Sequence, residues 1–81
     1  MPTATKDDVA KRVEEALIEF GADADAIEPD ARFEALDVDS LDLVELAQIA
    51  EDDYGVQITT EDLKKIETVG QAVDLIVERA E

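Results

Sequence analysis

Ser40 is the only serine of the chain, and it stands in the run LDVDSL between Asp39 and Leu41. The sequence has no cysteine and no histidine. A serine hydroxyl acting as a nucleophile needs a base to take its proton, the usual imidazole is missing, and a neighbouring aspartate is a weak substitute. The same composition excludes a disulfide framework, a thiolate metal site and the commonest acid or base of neutral pH. Self-contained hydrolytic or metal chemistry is therefore improbable, and what remains is borrowed chemistry or binding. Ser40 falls where a loop becomes a helix, and free backbone N–H groups and the positive end of the helix dipole favour an attached anion such as a phosphate there. That suits a phosphodiester carried on the hydroxyl. It suits equally a plain helix cap made by Ser40 or Asp39, and residue chemistry alone leaves both open.

The acids around Ser40 superficially suggest a calcium loop beginning at Asp37, but the count fails. Leu41 falls at the fifth position, Asp42 replaces the glycine required at the sixth, and Gln48 stands where the bidentate glutamate belongs. No metal site is expected.

The 81 residues, without a repeat or a Pro/Gly-rich linker, amount to one small domain over 1–81. Its 23 acidic and 7 basic residues give a formal charge of −16. A surface of that sign repels phosphate backbones and anionic headgroups, so neither nucleic acid nor membrane is an expected partner; most of the acids serve simply to keep a small protein soluble, and the alternative is docking onto basic enzymes. Such self-repulsion also makes a monomer the simplest expectation. No apolar run approaches membrane-spanning length, and MPTATKDD lacks the basic-then-apolar pattern of a signal, which points to the cytoplasm.

Helical elements must hold these groups in place. Val9, Val13, Ala16, Leu17 and Phe20 recur at helical spacing after Thr5 and Asp8, a capping pair, and before Gly21, a stop. Periodicity then disappears into GADADAIEPDARFEALDVD, a long loop whose Ile27, Phe33, Leu36 and Val38 are placed to pin it to a core. A second helix is predicted from about Ser40 to Tyr54, with Asp39 as N-cap and Gly55 ending it. A short third helix starts at Thr59 or Thr60 and covers EDLKKI. The last opens on the capping box of TVGQ at Thr68 and carries Val69, Val73, Ile76, Val77 and Ala80 on one stripe, with Gly70 a mild argument against it. YGVQIT alternates like a strand but has no partner run, so it reads as an extended connector. The expected fold is all-α, a small four-helix bundle of three longer helices and one short, with a long loop between helices one and two.

On a helical wheel of the second helix, Leu43, Leu46, Ala47 and Ala50 gather on the core side, with Ile49 at the margin. The outward arc collects Ser40, Leu41, Asp42, Val44, Glu45, Gln48, Glu51 and Asp52. Leu41 and Val44 thus sit as apolar residues among acids. Scattered exposed apolar residues are ordinary, while the alternative is a docking face on which they make contact and Asp39, Asp42, Glu45 and Asp52 steer a basic partner.

LDVDSLDLVELAQIAEDDYGVQIT, with a helix before it and EDLKKIETVGQAVDLI after it, resembles the acyl carrier proteins over essentially the whole chain. Their signature is a Leu-Gly-x-Asp-Ser-Leu run followed by an acidic helix, matched by Leu36, Asp39, Ser40 and Leu41, with Asp37 in the place of the usual glycine. That variant is similar to carriers of mycobacterial-type type II fatty acid synthesis. The resemblance implies that Ser40 receives 4'-phosphopantetheine from coenzyme A by the action of a separate holo-acyl-carrier-protein synthase. The arm's thiol then holds acyl groups as thioesters, and the protein is a carrier rather than an enzyme. It further implies that Asp39, Leu41, Asp42, Val44, Glu45, Gln48, Glu51 and Asp52 meet fatty acid synthase-type enzymes bearing basic docking patches. Gln48 occupies a place often apolar in the family. Leu43, Leu46, Ala50, Ile58, Leu63, Ile66, Ala72 and Leu75 are the residues expected to line an acyl-chain cavity between helices two, three and four, with room sought at the small Ala50 and Ala72; ordinary core packing is the alternative for each. A carrier of polyketide, aminoacyl or D-alanyl groups would use the same serine and arm, and an acidic helical decoy for a basic partner would need the docking face but not Ser40.

Overall fold

The computed structural model describes residues 5–80, which form four α-helices and no strand. The first, α1 (Lys6–Glu19), starts where the Thr5 hydroxyl accepts from the Asp8 N–H at 3.2 Å. It stops as expected at Gly21, whose φ of +105° lets the Ala22 N–H reach the Leu17 carbonyl and the Gly21 N–H the Ile18 carbonyl, both at 3.0 Å. α2 spans Ser40–Tyr54 and ends on Gly55 at φ +69°. α3 is the six residues Thr60–Lys65, and α4 is Val69–Ala80. At the head of α4 the Thr68 hydroxyl accepts from the Gln71 N–H, and the Gln71 side chain accepts in return from the Thr68 N–H at 3.2 Å. The box read in TVGQ is formed.

α1 packs along α4, and their apolar stripes, Val9, Val13, Ala16 and Leu17 against Val69, Ala72, Val73 and Ile76, are buried. Leu46 and Ala50 of α2 and Val56 of the following connector complete the core from the other side. Phe20, just past the end of α1, and Val77 and Ala80 of α4 are half-buried at its rim. Phe33, Leu36 and Val38 are buried as well, so the long segment between α1 and α2 is part of the core rather than a surface excursion.

That segment carries more structure than its lost periodicity suggests. Ala24–Ala26 form a single 3₁₀ turn capped by the Asp23 side chain. Further on, the backbone is stitched antiparallel to the start of α4, with an isolated bridge between Arg32 and Thr68. The Phe33 N–H donates to the Glu67 carbonyl at 3.0 Å, Val69 to Ala31 at 3.0 Å and Gly70 to Pro29 at 2.9 Å. Gly70 is explained by this contact: a Cβ there would lie 2.9 Å from the Pro29 carbonyl oxygen, so a residue that is costly for the helix is the one that permits the stitch.

α3 has no fully buried residue and is held by polar contacts. Asp62 caps it by accepting from the Thr59 N–H at 2.9 Å, and it also takes a bidentate pair from Arg79 of α4, at 2.5 and 2.9 Å. Arg79 further donates to the Gln57 carbonyl at 3.0 Å. The guanidinium, then the Thr59 backbone, hold the Asp62 carboxyl down to about 2 from an ordinary 3.8. A depressed acid stabilises the fold above its unfolded pKa and loses that contribution as pH falls through the folded one. The melting-point gap between the parent and Asp62→Asn is therefore expected to be full at pH 5 to 7 and to shrink as pH falls from about 4 towards about 2. Taking the difference cancels the general relief of like charges on acidification. A gap constant to pH 2 would contradict the assignment.

Candidate functional site

Ser40 is the first residue of α2 and is exposed. The cap belongs to its neighbour. The Asp39 side chain accepts from the Asp42 N–H at 3.0 Å, and the Asp42 side chain accepts from the Asp39 N–H at 3.3 Å, a reciprocal box that straddles Ser40 without using it. Among the described residues no side chain bonds the Ser40 hydroxyl. Both nearby carboxylates are committed to backbone N–H groups, so neither is set to act as its base, and a chemical group brought to the hydroxyl meets open space at a helix start.

Asp37 sits in the turn that leads to this point with φ +60°, the left-handed region that favours glycine. Aspartate tolerates it better than most residues. The substitution at this place in LDVDSL thus keeps the backbone of the turn at some cost in strain.

The outward arc of α2 is where the wheel puts it. Leu41 is 75 % and Val44 51 % exposed, and Asp39, Glu45, Gln48, Glu51 and Asp52 are exposed around them, with Asp42 half-buried by its part in the cap. At the far end of the helix, outside this arc and towards α1, Asp53 accepts from Arg12 at 2.7 Å, which leaves the face itself negative. The guanidinium's own pKa rises through that bond.

The eight residues expected around an acyl chain do not share one cavity. Leu43 and Ile66 line a hollow of about 260 Å³ with Phe33 and Val38, beside the loop that delivers Ser40. Ile58 and Leu63 face a smaller one, about 130 Å³, against Val44, Ala47 and Gln48 of α2. Ile66 and Leu75 border a third of about 280 Å³ between α3 and α4. Leu46, Ala50 and Ala72 are buried at 1 to 3 % exposure and line none of these. Phe33 and Val38 were legible as apolar pins of the loop but not as walls of a hollow, because their partners lie far along the chain. A fourth hollow, about 190 Å³ between α1, Pro29 and Val73, is lined by Ile27, Val69 and Val73, which the sequence marks as core residues and not as walls of a site. No cluster of acids among the described residues is arranged to hold a metal ion.

Residues 11–76 match the family model described as a phosphopantetheine attachment site. The chain is 42 % identical over 77 residues to an acyl carrier protein of Petrotoga mobilis, covering 93 % of this chain and 91 % of the relative. It is 41 % identical over 70 residues to an acyl carrier protein of Solidesulfovibrio magneticus, covering 84 % and 90 %. A third, from Rubrobacter xylanophilus, is 39 % identical over 75 residues, covering 90 % and 93 %.

Proposed function

Because the chain belongs to the acyl carrier protein family and carries 4'-phosphopantetheine as its prosthetic group, we propose that the arm is attached at Ser40 and that the acidic face of α2 presents it to the enzymes of fatty acid synthesis. The observation that carries this reading is the Ser40 hydroxyl itself, exposed at the start of α2 and left free by the Asp39–Asp42 box. The arm supplies a thiol, which a chain without cysteine lacks, to hold acyl groups as thioesters. Everything else asked of the protein is positioning.

With no histidine in the chain and no base among the described residues aimed at Ser40, the proton of its hydroxyl leaves to a base on the transferase, so the chain serves as substrate and carrier rather than catalyst. Leu41, one residue beyond, offers a desolvating contact, and Val44 extends it a turn further. Asp39, Asp42, Glu45, Glu51 and Asp52 provide the field that steers a basic patch, of the holo-synthase first and of the acyl-processing enzymes afterwards; Gln48 adds a polar contact between them. Phosphate backbones and anionic lipid are disfavoured by the charge of −16. On this reading the carrier works as a monomer beside its enzymes in the cytoplasm; no helix among the described residues is long and apolar enough to cross a membrane.

The test is intact mass after incubation with coenzyme A and a broad-specificity phosphopantetheinyl transferase, followed by peptide mapping. A single added phosphopantetheine on the peptide that holds Ser40 is the expected result. Addition at a threonine or at Tyr54, or no addition to a folded protein, would overturn the assignment.

A further inference from the structure

α3 borders one hollow against α2 at Leu63 and another against α4 at Asp62 and Lys65, and a third opens just past its end at Ile66, towards Phe33 and Val38. It buries none of its residues fully. A six-residue helix with so little apolar anchorage is weakly held by packing, and a small shift of it would join spaces that are now separate. What fixes it is the Asp62–Arg79 pair. Both guanidinium nitrogens bond the carboxylate, Arg79 also holds the Gln57 carbonyl just before α3, and the Asp62 side chain is only 13 % exposed.

We propose that the Asp62–Arg79 pair is a latch that sets the length of acyl chain this carrier shelters, by holding α3 in the position that keeps the three hollows apart. This rests on the carrier reading above and deepens it. In the latched form the space nearest Ser40 takes a short chain, while a long one needs α3 displaced. A chain that binds only the displaced form is opposed by whatever stabilises the latched one. Asp62 and Arg79 are thus specificity-determining residues of the cargo site, though neither touches Ser40.

Arg79→Gln is the informative variant, because it removes the latch and leaves Asp62 free to cap α3 through Thr59. Lys6→Gln, which breaks the exposed Lys6–Asp74 pair between α1 and α4, is the control of equal charge change. In the unloaded protein, amide hydrogen exchange in α3 is expected to quicken about two- to fivefold in Arg79→Gln, the scale of one partly exposed ion pair, with α1 unchanged and Lys6→Gln like the parent. In proteins verified by mass to carry the arm, hydroxylamine cleavage of a hexadecanoyl thioester should slow by a similar factor, about two- to fivefold, and that of a butanoyl thioester should not change. Unaltered exchange in α3 would overturn the latch, as would quickened exchange with hexadecanoyl cleavage unchanged or faster. Failure to take up the arm at Ser40 would bear on the attachment reading alone, and exchange in the unloaded protein would still decide the latch.

Discussion

Ser40→Ala is expected to keep its unmodified mass after treatment with coenzyme A and a transferase, and yet to melt within about 0.5 kcal/mol of the parent. The two halves of this result come from different atoms. A serine that capped α2 would cost about 1 kcal/mol on truncation, because it would strand a backbone N–H. Here the stranded groups are taken by Asp39 and Asp42 at 3.0 and 3.3 Å, and the Ser40 side chain is exposed at the first helical position. Alanine is the better helix former there, so any change in stability should be small and could be favourable. Asp39→Ala is the counterpart: it should lose about 1 kcal/mol through the cap. Arm transfer to the Ser40→Ala protein would place the attachment on another hydroxyl. A melting point depressed by more than the cap of Asp39 accounts for would return Ser40 to a structural role.

This division of labour between neighbours was only half legible in the sequence. A cap at Asp39 and a modified Ser40 are compatible with LDVDSL, but so is a serine cap, since either side chain can reach the third N–H of the helix. One acceptor atom, the Asp39 carboxylate oxygen on the Asp42 N–H, decides it. The helices themselves were legible nearly to the residue, because each carries local punctuation: Thr5 and Gly21 around α1, Asp39 and Gly55 around α2, Thr68 and Gln71 at α4. Signals of that kind act within about one turn and are printed in consecutive residues.

What was not legible depends on residues far apart. The stitch between residues 29–33 and 67–70 involves too few positions to show a period of two, and its one visible trace, Gly70, looks like a flaw in a helix when Pro29 is not seen against it. The Asp62–Arg79 pair joins residues 17 apart, and nothing in EDLKKI or LIVERA announces it. The same reason separates the residues of the candidate site. The outward arc of α2 is a single-helix property and the wheel found it; the distribution of Leu43, Ile58, Ile66 and Leu75 among hollows is a property of three helices and a loop.

Ala50→Phe carries the largest expected cost to the fold. From the sequence, Ala50 is a place where room for a chain could be found, and a larger side chain there would then fill a void at little expense. In the structure Ala50 is 1 % exposed, on the face of α2 that meets the core with Leu46, and it borders none of the hollows. A phenyl group must displace close-packed neighbours, at about 1 to 3 kcal/mol or more. For a domain of this size that lowers the melting point by about 4 to 24 °C. Ile66→Phe is the comparison, since open space lies on two sides of Ile66 and the same aromatic ring should cost less than about 1 kcal/mol. If Ala50→Phe melts like the parent, the interior beside α2 yields to a larger group, and a long acyl chain can enter without moving α3. If it melts far below, space for such a chain must be made by moving a wall, and α3, with no fully buried residue and one ion pair to hold it, is the wall that moves at least cost.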